Sequence, residues 1–198
     1  MNEIFNPKIN KEDFENLLVR TNRRYIKDLI VYLNEETDFY TAPASSNYHG
    51  NYKYGLLEHS GDVYNHLTAL IKLYQYPIKE DSIIIIGLLH DLCKANFYHE
   101  TTRNRKIENK WIQEPYFSIE DKCPLGHGEK SVILLQQYIQ LTMEEIFSIR
   151  WHMMSYDASV KDYAGNCALT ASLNLYPIIS LVHCADLLSI SHTLKSEE

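Results

Sequence analysis

Between Lys11 and Glu36 the apolar residues Phe14, Leu17, Leu18, Ile26, Leu29, Ile30 and Leu33 recur at spacings of three and four. That period predicts helix. The stretch TDFYTAPASSNYHGNYKYG (37–55) breaks the period with Pro43, a serine pair and two glycines, and reads as an ordered loop. Helical order returns from Leu56 to Tyr74, where Val63, Leu67, Leu70, Ile71 and Tyr74 form one stripe. A further helix is expected from about Glu80 to Cys93. It is apolar nearly all round, the mark of a helix central in its fold.

The pattern changes over Asn96–Glu120. FYHETTRNRKIENKWIQEPYFSIE is rich in aromatic and β-branched residues, and IENKW offers a turn, so a β-hairpin inserted between helices is expected. After CPLGHG a helix runs from about Glu129 to Leu141. Thr142 with Glu145 three residues on forms a capping box, opening the helix that carries IFSIRWHMM. Residues 154–176 read as irregular and polar, and YPIISLVHCADLLSI gives a last amphipathic helix. The expected fold is mainly α: one domain over 1–198, with a helical extension (11–36), a core (about 37–190) and a small β insertion (96–120).

Composition narrows the setting. A chain of 198 residues, 45% hydrophobic, can bury a sizeable single core. Its longest apolar stretch, Ile83–Leu89, is far short of the ~20 residues of a membrane span. MNEIFNPKINKEDF has no secretory plan, and the four cysteines are scattered without a CxxC pair, so reduced thiols and a cytoplasmic location are expected. A net charge of −7 argues against a general polyanion-binding surface. It leaves room for a phosphate-bearing substrate, because bound divalent cations reverse the local potential.

The chemistry lies in the histidines. The apolar run Ile83–Leu89 ends in His90 and Asp91, two polar groups whose burial without partners is costly. His59, His127, His152 and Asp186 each sit on a different helical segment, most beside apolar residues. Inward-facing imidazoles and carboxylates from several helices are how a helical protein builds a metal site. The donor set suits Mn, Fe, Co, Ni or Zn, as one or two ions. For His66, His99, His183 and His192 packing is the preferred reading. His66 stands ~10 Å of helical rise from His59, too far to share an ion. His49, in the glycine-flanked loop, reads evenly as pocket-lining or packing.

The order His59, His90-Asp91, Asp186 resembles the signature of the HD-domain superfamily of metal-dependent phosphohydrolases. HDLCK stands where the family often has HD-x-G-K, and the late aspartate lies in LVHCADLL. With His127 and His152 between them, the order resembles members that hold two ions. The block APASSNYHGNYKYGLLEHS also resembles the entry to the HD domain of bacterial 3′→5′ exoribonucleases. The resemblance covers about 37–190 and implies an HD-type helical bundle. By it, His59, His90, Asp91 and Asp186 would hold one ion, and Asp91 would bridge to a second held by His127 and His152. Cys93 replaces the motif's glycine, Met153 replaces a histidine of those exonucleases, and no oligonucleotide-binding module is read ahead of the domain. These departures shift the expectation from nuclease towards phosphohydrolase.

The expected activity is therefore hydrolysis, by metal-activated water, of a phosphoester in a nucleotide or short oligonucleotide, with Asp91 and Lys94 catalytic. Lys94, three residues after Asp91, would serve as a point cation for the phosphoryl group. Lys130, three after His127, and Arg150, two before His152, are phosphate contacts or ordinary solvated charges. The same two readings apply to Arg103, Arg105 and Lys106. The partner is a small phosphorylated substrate or short single strand, with no membrane. One rival is a di-iron HD-type oxygenase with the same six ligands. Another is a non-catalytic nucleotide-binding HD module, which predicts missing ligands where none is missing. A third, an interaction module with structural histidines, predicts no bound metal.

Overall fold

The computed structural model describes residues 8–47 and 49–193, with side chains through Ile190. Residues 1–7, where the leader was looked for, and the His192 side chain lie outside the described residues.

The helical pattern of 11–36 is two helices, α1 (Lys11–Arg20) and α2 (Ile26–Glu35). Asn22 and Tyr25 adopt positive φ between them, at 50° and 64°, which no helix accommodates. The polar run TNRRY carried that break. α3 (Gly55–Tyr74) follows the loop, and α4 (Glu80–Leu89) stops earlier than expected. His90 still has helical dihedrals, Asp91 leaves them, and Leu92–Lys94 forms a 3-10 turn. β1 (Tyr98–Ile107) and β2 (Lys110–Ile119) make the expected antiparallel hairpin. Its two turn residues, Glu108 and Asn109, both have positive φ (47° and 65°), as a type I′ turn requires. α5 (His127–Gln136) begins two residues before the expected Glu129, and α6 (Met143–Trp151) carries the capping box.

Over 154–176 the expectation of irregular chain is corrected. Two short 3-10 turns lead into a helix, α7 (Tyr163–Leu175), before α8 (Ile178–Thr193). Asp162 caps α7 by accepting from Gly165 N at 2.7 Å. Only Leu169 and Ser172 of α7 are buried, so its sequence shows almost no apolar period.

α4 is the central post. Every residue from Ser82 to Leu89 is buried, and each fully buried Ile or Leu contributes about 1.5–3 kcal/mol. It packs on α1, α3 and α6, while α8 lies along α3. Gly87 permits the close approach to α3, since a Cβ there would fall 2.7 Å from Tyr64 Cα. Gly128 does the same for α5 against α6, where a Cβ would meet Arg150 O at 2.3 Å. The loop before α3 is tied to the end of the HDLCK stretch through Asn96. Its side chain accepts from Asp38 N (3.0 Å) and donates to Glu36 O (2.9 Å). Among the described residues no single helix is long and apolar enough to cross a membrane.

Candidate metal centre

Five helices bring six side chains to one point. Nε2 of His59 (α3) lies 3.3 Å from Nε2 of His90, 3.2 Å from Asp91 Oδ2 and 3.4 Å from Asp186 Oδ1 (α8). His90 Nε2 stands 3.5 Å from Asp91 Oδ2. The other oxygen of Asp91 faces the opposite way. Oδ1 is 2.8 Å from His127 Nε2 (α5) and 3.5 Å from Nε2 of His152, the cap of α6. All of these residues are buried except His127, which is partly open to solvent.

Hydrogen bonds on the far side of each ring fix its tautomer. His90 Nδ1 meets Gly87 O at 3.0 Å and His152 Nδ1 meets Ile149 O at 2.7 Å. A carbonyl only accepts, so both Nδ1 atoms carry the proton and both Nε2 atoms present lone pairs. Ser189 Oγ donates to Asp186 O at 2.6 Å, which leaves it to accept from His59 Nδ1 at 3.0 Å. His59 thus also turns a bare Nε2 inward. His152 Nε2 is buried with no hydrogen-bond partner at all.

This donor set fits a divalent metal. Ligands at ~2.0–2.2 Å from one ion, roughly 90–110° apart, lie about 3.0–3.5 Å from one another. The separations among His59, His90, Asp91 and Asp186 run from 3.2 to 3.5 Å. Lone pairs and carboxylates facing one another at such distances repel unless a cation joins them.

The electrostatics follow. Burial alone would raise the Asp91 carboxyl, but Lys94, His90 and His127 hold it well below the usual range. Burial likewise opposes ionisation of Asp186, and His59, His90 and His152 pull it down. Burial pushes His90 down to about 3. Burial also works to lower His127, yet Cys93 and Asp91 raise it to about 10.

The other expected site residues divide. Lys94 reaches the centre, with Nζ 2.6 Å from Asp91 Oδ2. His49 reaches it too, its ring 5.6 Å from that of His59, and burial with His59 and Lys94 nearby lowers it to about 4. Lys130 is instead paired with Asp121 at 2.7 Å and sits over the Phe97 ring. Arg150 binds Glu129 (2.5 Å), Asp157 (2.6 Å) and Ser159 (2.9 Å) while stacking on Trp151. Both reach phosphate only by breaking these pairs, and structural ties are the better account of them. Arg103 binds Glu114 at 2.7 Å and touches Asn47 in the His49 loop at 3.4 Å; Arg105 is 3.7 Å from Glu114, and Lys106 is exposed.

Three contributors had not been singled out. Ser189 orients His59, and its position three residues after Asp186 on the same helix was a readable signal. His183 Nδ1 donates to His152 O at 2.7 Å, bracing α6 rather than merely packing. Cys93 Sγ lies 3.2 Å from His127 Nδ1.

A helical bundle with this His/Asp cage is what the family comparison also finds. The HD domain family model matches residues 56–187, two thirds of the chain, and the chain belongs to the HD domain family. That family places it in a superfamily of metal-dependent phosphohydrolases. The match is to the HD domain as a whole and does not single out the exoribonuclease branch. No curated protein and no solved structure matches the chain.

Proposed function

We propose that this protein is a metal-dependent phosphohydrolase that cleaves a phosphoester of a nucleotide or short oligonucleotide in the cytoplasm. One observation carries the reading: the two oxygens of Asp91 serve two different donor groups, His59, His90 and Asp186 on one side, His127 and His152 on the other. These six residues would hold one or two divalent ions of Mn, Fe, Co, Ni or Zn. Bound there, such ions supply Lewis acidity to water and to phosphoryl oxygens.

The chain's own residues do the rest. Asp91 is kept ionised across the neutral range and so remains a ligand through both oxygens. The Lys94 ammonium neutralises Asp91 Oδ2 and is the cation nearest the centre that can turn to a phosphoryl oxygen. His49 stays neutral at pH 7, so it can donate or accept one hydrogen bond from the substrate without adding charge. The apolar wall of α4 excludes water behind the site, where electrostatic contacts gain strength.

The test combines elemental analysis of gently purified protein with a metal-loaded activity screen. The screen covers nucleoside mono-, di- and triphosphates, cyclic dinucleotides and short single strands, with Asp91→Ala as control. Phosphate or nucleotide release that vanishes together with bound metal in Asp91→Ala supports the reading. A mixed-valent di-iron centre that consumes oxygen with substrate would sink it.

A further inference from the structure

Cys93 is the one side chain at the centre that neither the six-ligand cage nor the phosphate contacts use. It is buried at 3% exposure, and the turn carrying it is fixed against α5 by Cys93 N donating to Ser131 Oγ at 3.0 Å. Leu92 goes into the core, and Sγ lies beside His127, 3.2 Å from Nδ1 and 3.7 Å from Nε2. Donor atoms of Asp91, Cys93 and His127 all lie within 4.8 Å of one another.

Resting on the metal centre proposed above, we infer that Cys93 is a thiolate ligand of the second ion, beside Asp91 Oδ1, His127 Nε2 and His152 Nε2. Two independent observations support it. A sulfur at ~2.3 Å and a nitrogen at ~2.0 Å on one tetrahedral ion stand about 3.5 Å apart, close to the 3.7 Å from Sγ to His127 Nε2. His152 Nε2, buried and without a hydrogen-bond partner, aims into the same space, 3.5 Å from Asp91 Oδ1. On binding, the thiol proton leaves to solvent and Sγ takes the ion in its place. The two halves of the centre then differ in kind. The His59 half offers nitrogen and oxygen only, while the His127 half adds soft sulfur and selects Zn, Co or Fe over Mn.

Cobalt(II) titration of the metal-stripped full chain, followed by absorption, separates this from a thiol that only hydrogen-bonds His127. The expected result is two equivalents bound, the second bringing a near-ultraviolet thiolate-to-cobalt charge-transfer band. Cys93→Ser and Cys93→Ala keep the first equivalent, lose the band, and bind the second ion at least about 100-fold more weakly. Two equivalents without the band in the unaltered protein, or a band that persists in both variants, overturns the inference while leaving the proposed centre standing. Failure to bind cobalt at all overturns both.

Discussion

His59 Nε2 faces His90 Nε2 across 3.3 Å, and neither nitrogen holds a proton in the tautomers that Ser189 and Gly87 impose. The repulsion between those lone pairs is relieved only by a proton or a cation. The tautomers therefore matter as much as the ligands, and the groups that set them are open to test.

Ser189→Ala removes the acceptor of the His59 Nδ1 proton without touching any ligand. Loss of such an orienting partner weakens metal binding by about 10- to 100-fold. Isothermal titration with the preferred metal should show that loss at the His59 half alone, with the circular dichroism spectrum unchanged. Equal affinity in the variant would mean that the hydroxyl plays no orienting part.

The metal-free protein should be most stable near pH 6.5–7. His90 is depressed to about 3 and His49 to about 4, against ~6.5 when unfolded. Below that value the unfolded chain takes up protons the folded chain rejects, so stability falls as pH drops from 6.5 towards 4. The fully buried His90 accounts for up to about 1.4 kcal/mol per pH unit, and the half-buried His49 adds less. His127 acts in the opposite sense. Raised to about 10, it contributes stability below 6.5 that is lost as pH rises through 10. Urea midpoints of chelator-treated protein at pH 5, 6, 7 and 9 should trace a dome, and a flat series would contradict it.

Much of this site was legible in the chain because its ligands interrupt apolar runs. His90 and Asp91 stand out at the end of an isoleucine-rich helix, and Glu145 declares its capping box by spacing alone. The hairpin showed through its aromatic and β-branched content. What was hidden depends on groups without sequence signature. Gly87 O and Ile149 O are backbone atoms that orient His90 and His152. α7 escaped notice because a helix burying only Leu169 and Ser172 needs no apolar stripe. Lys130 and Arg150 sat at the right spacing for phosphate, but their acidic partners are remote or on other elements.

Lys94→Met separates catalysis from metal binding. The ammonium, 2.6 Å from Asp91 Oδ2, competes with a cation for that oxygen when no substrate is present. Removing it should tighten metal binding while lowering kcat by roughly 100-fold, the usual effect of deleting one transition-state charge contact. Metal titration and steady-state kinetics on the same preparation give the two signs. A parallel fall in both would mark Lys94 as a structural partner of Asp91 only.

Arg23→Ala tests how the scaffold transmits to the site. Arg23 bonds both oxygens of the buried Glu145 on α6, accepts Asp81 of α4 as a second partner at 3.0 Å, and donates to Gln140 O at 3.0 Å. Ser82 of α4 adds a 2.6 Å bond to Glu145. The N-termini of α4 and α6 are thus pinned together, and their C-terminal ends deliver His90 and His152, whose rings lie 4.9 Å apart. Stranding the Glu145 charge should cost about 3–5 kcal/mol, lowering Tm by roughly 6–20 °C for a chain of this size. Because the two helices are held at the end opposite the ligands, metal affinity should fall as well, and Arg23→Lys should restore only part of each. Thermal melts with and without metal measure both effects. A destabilised variant with undiminished metal affinity would show that the C-terminal ends hold their register without the Arg23 tie.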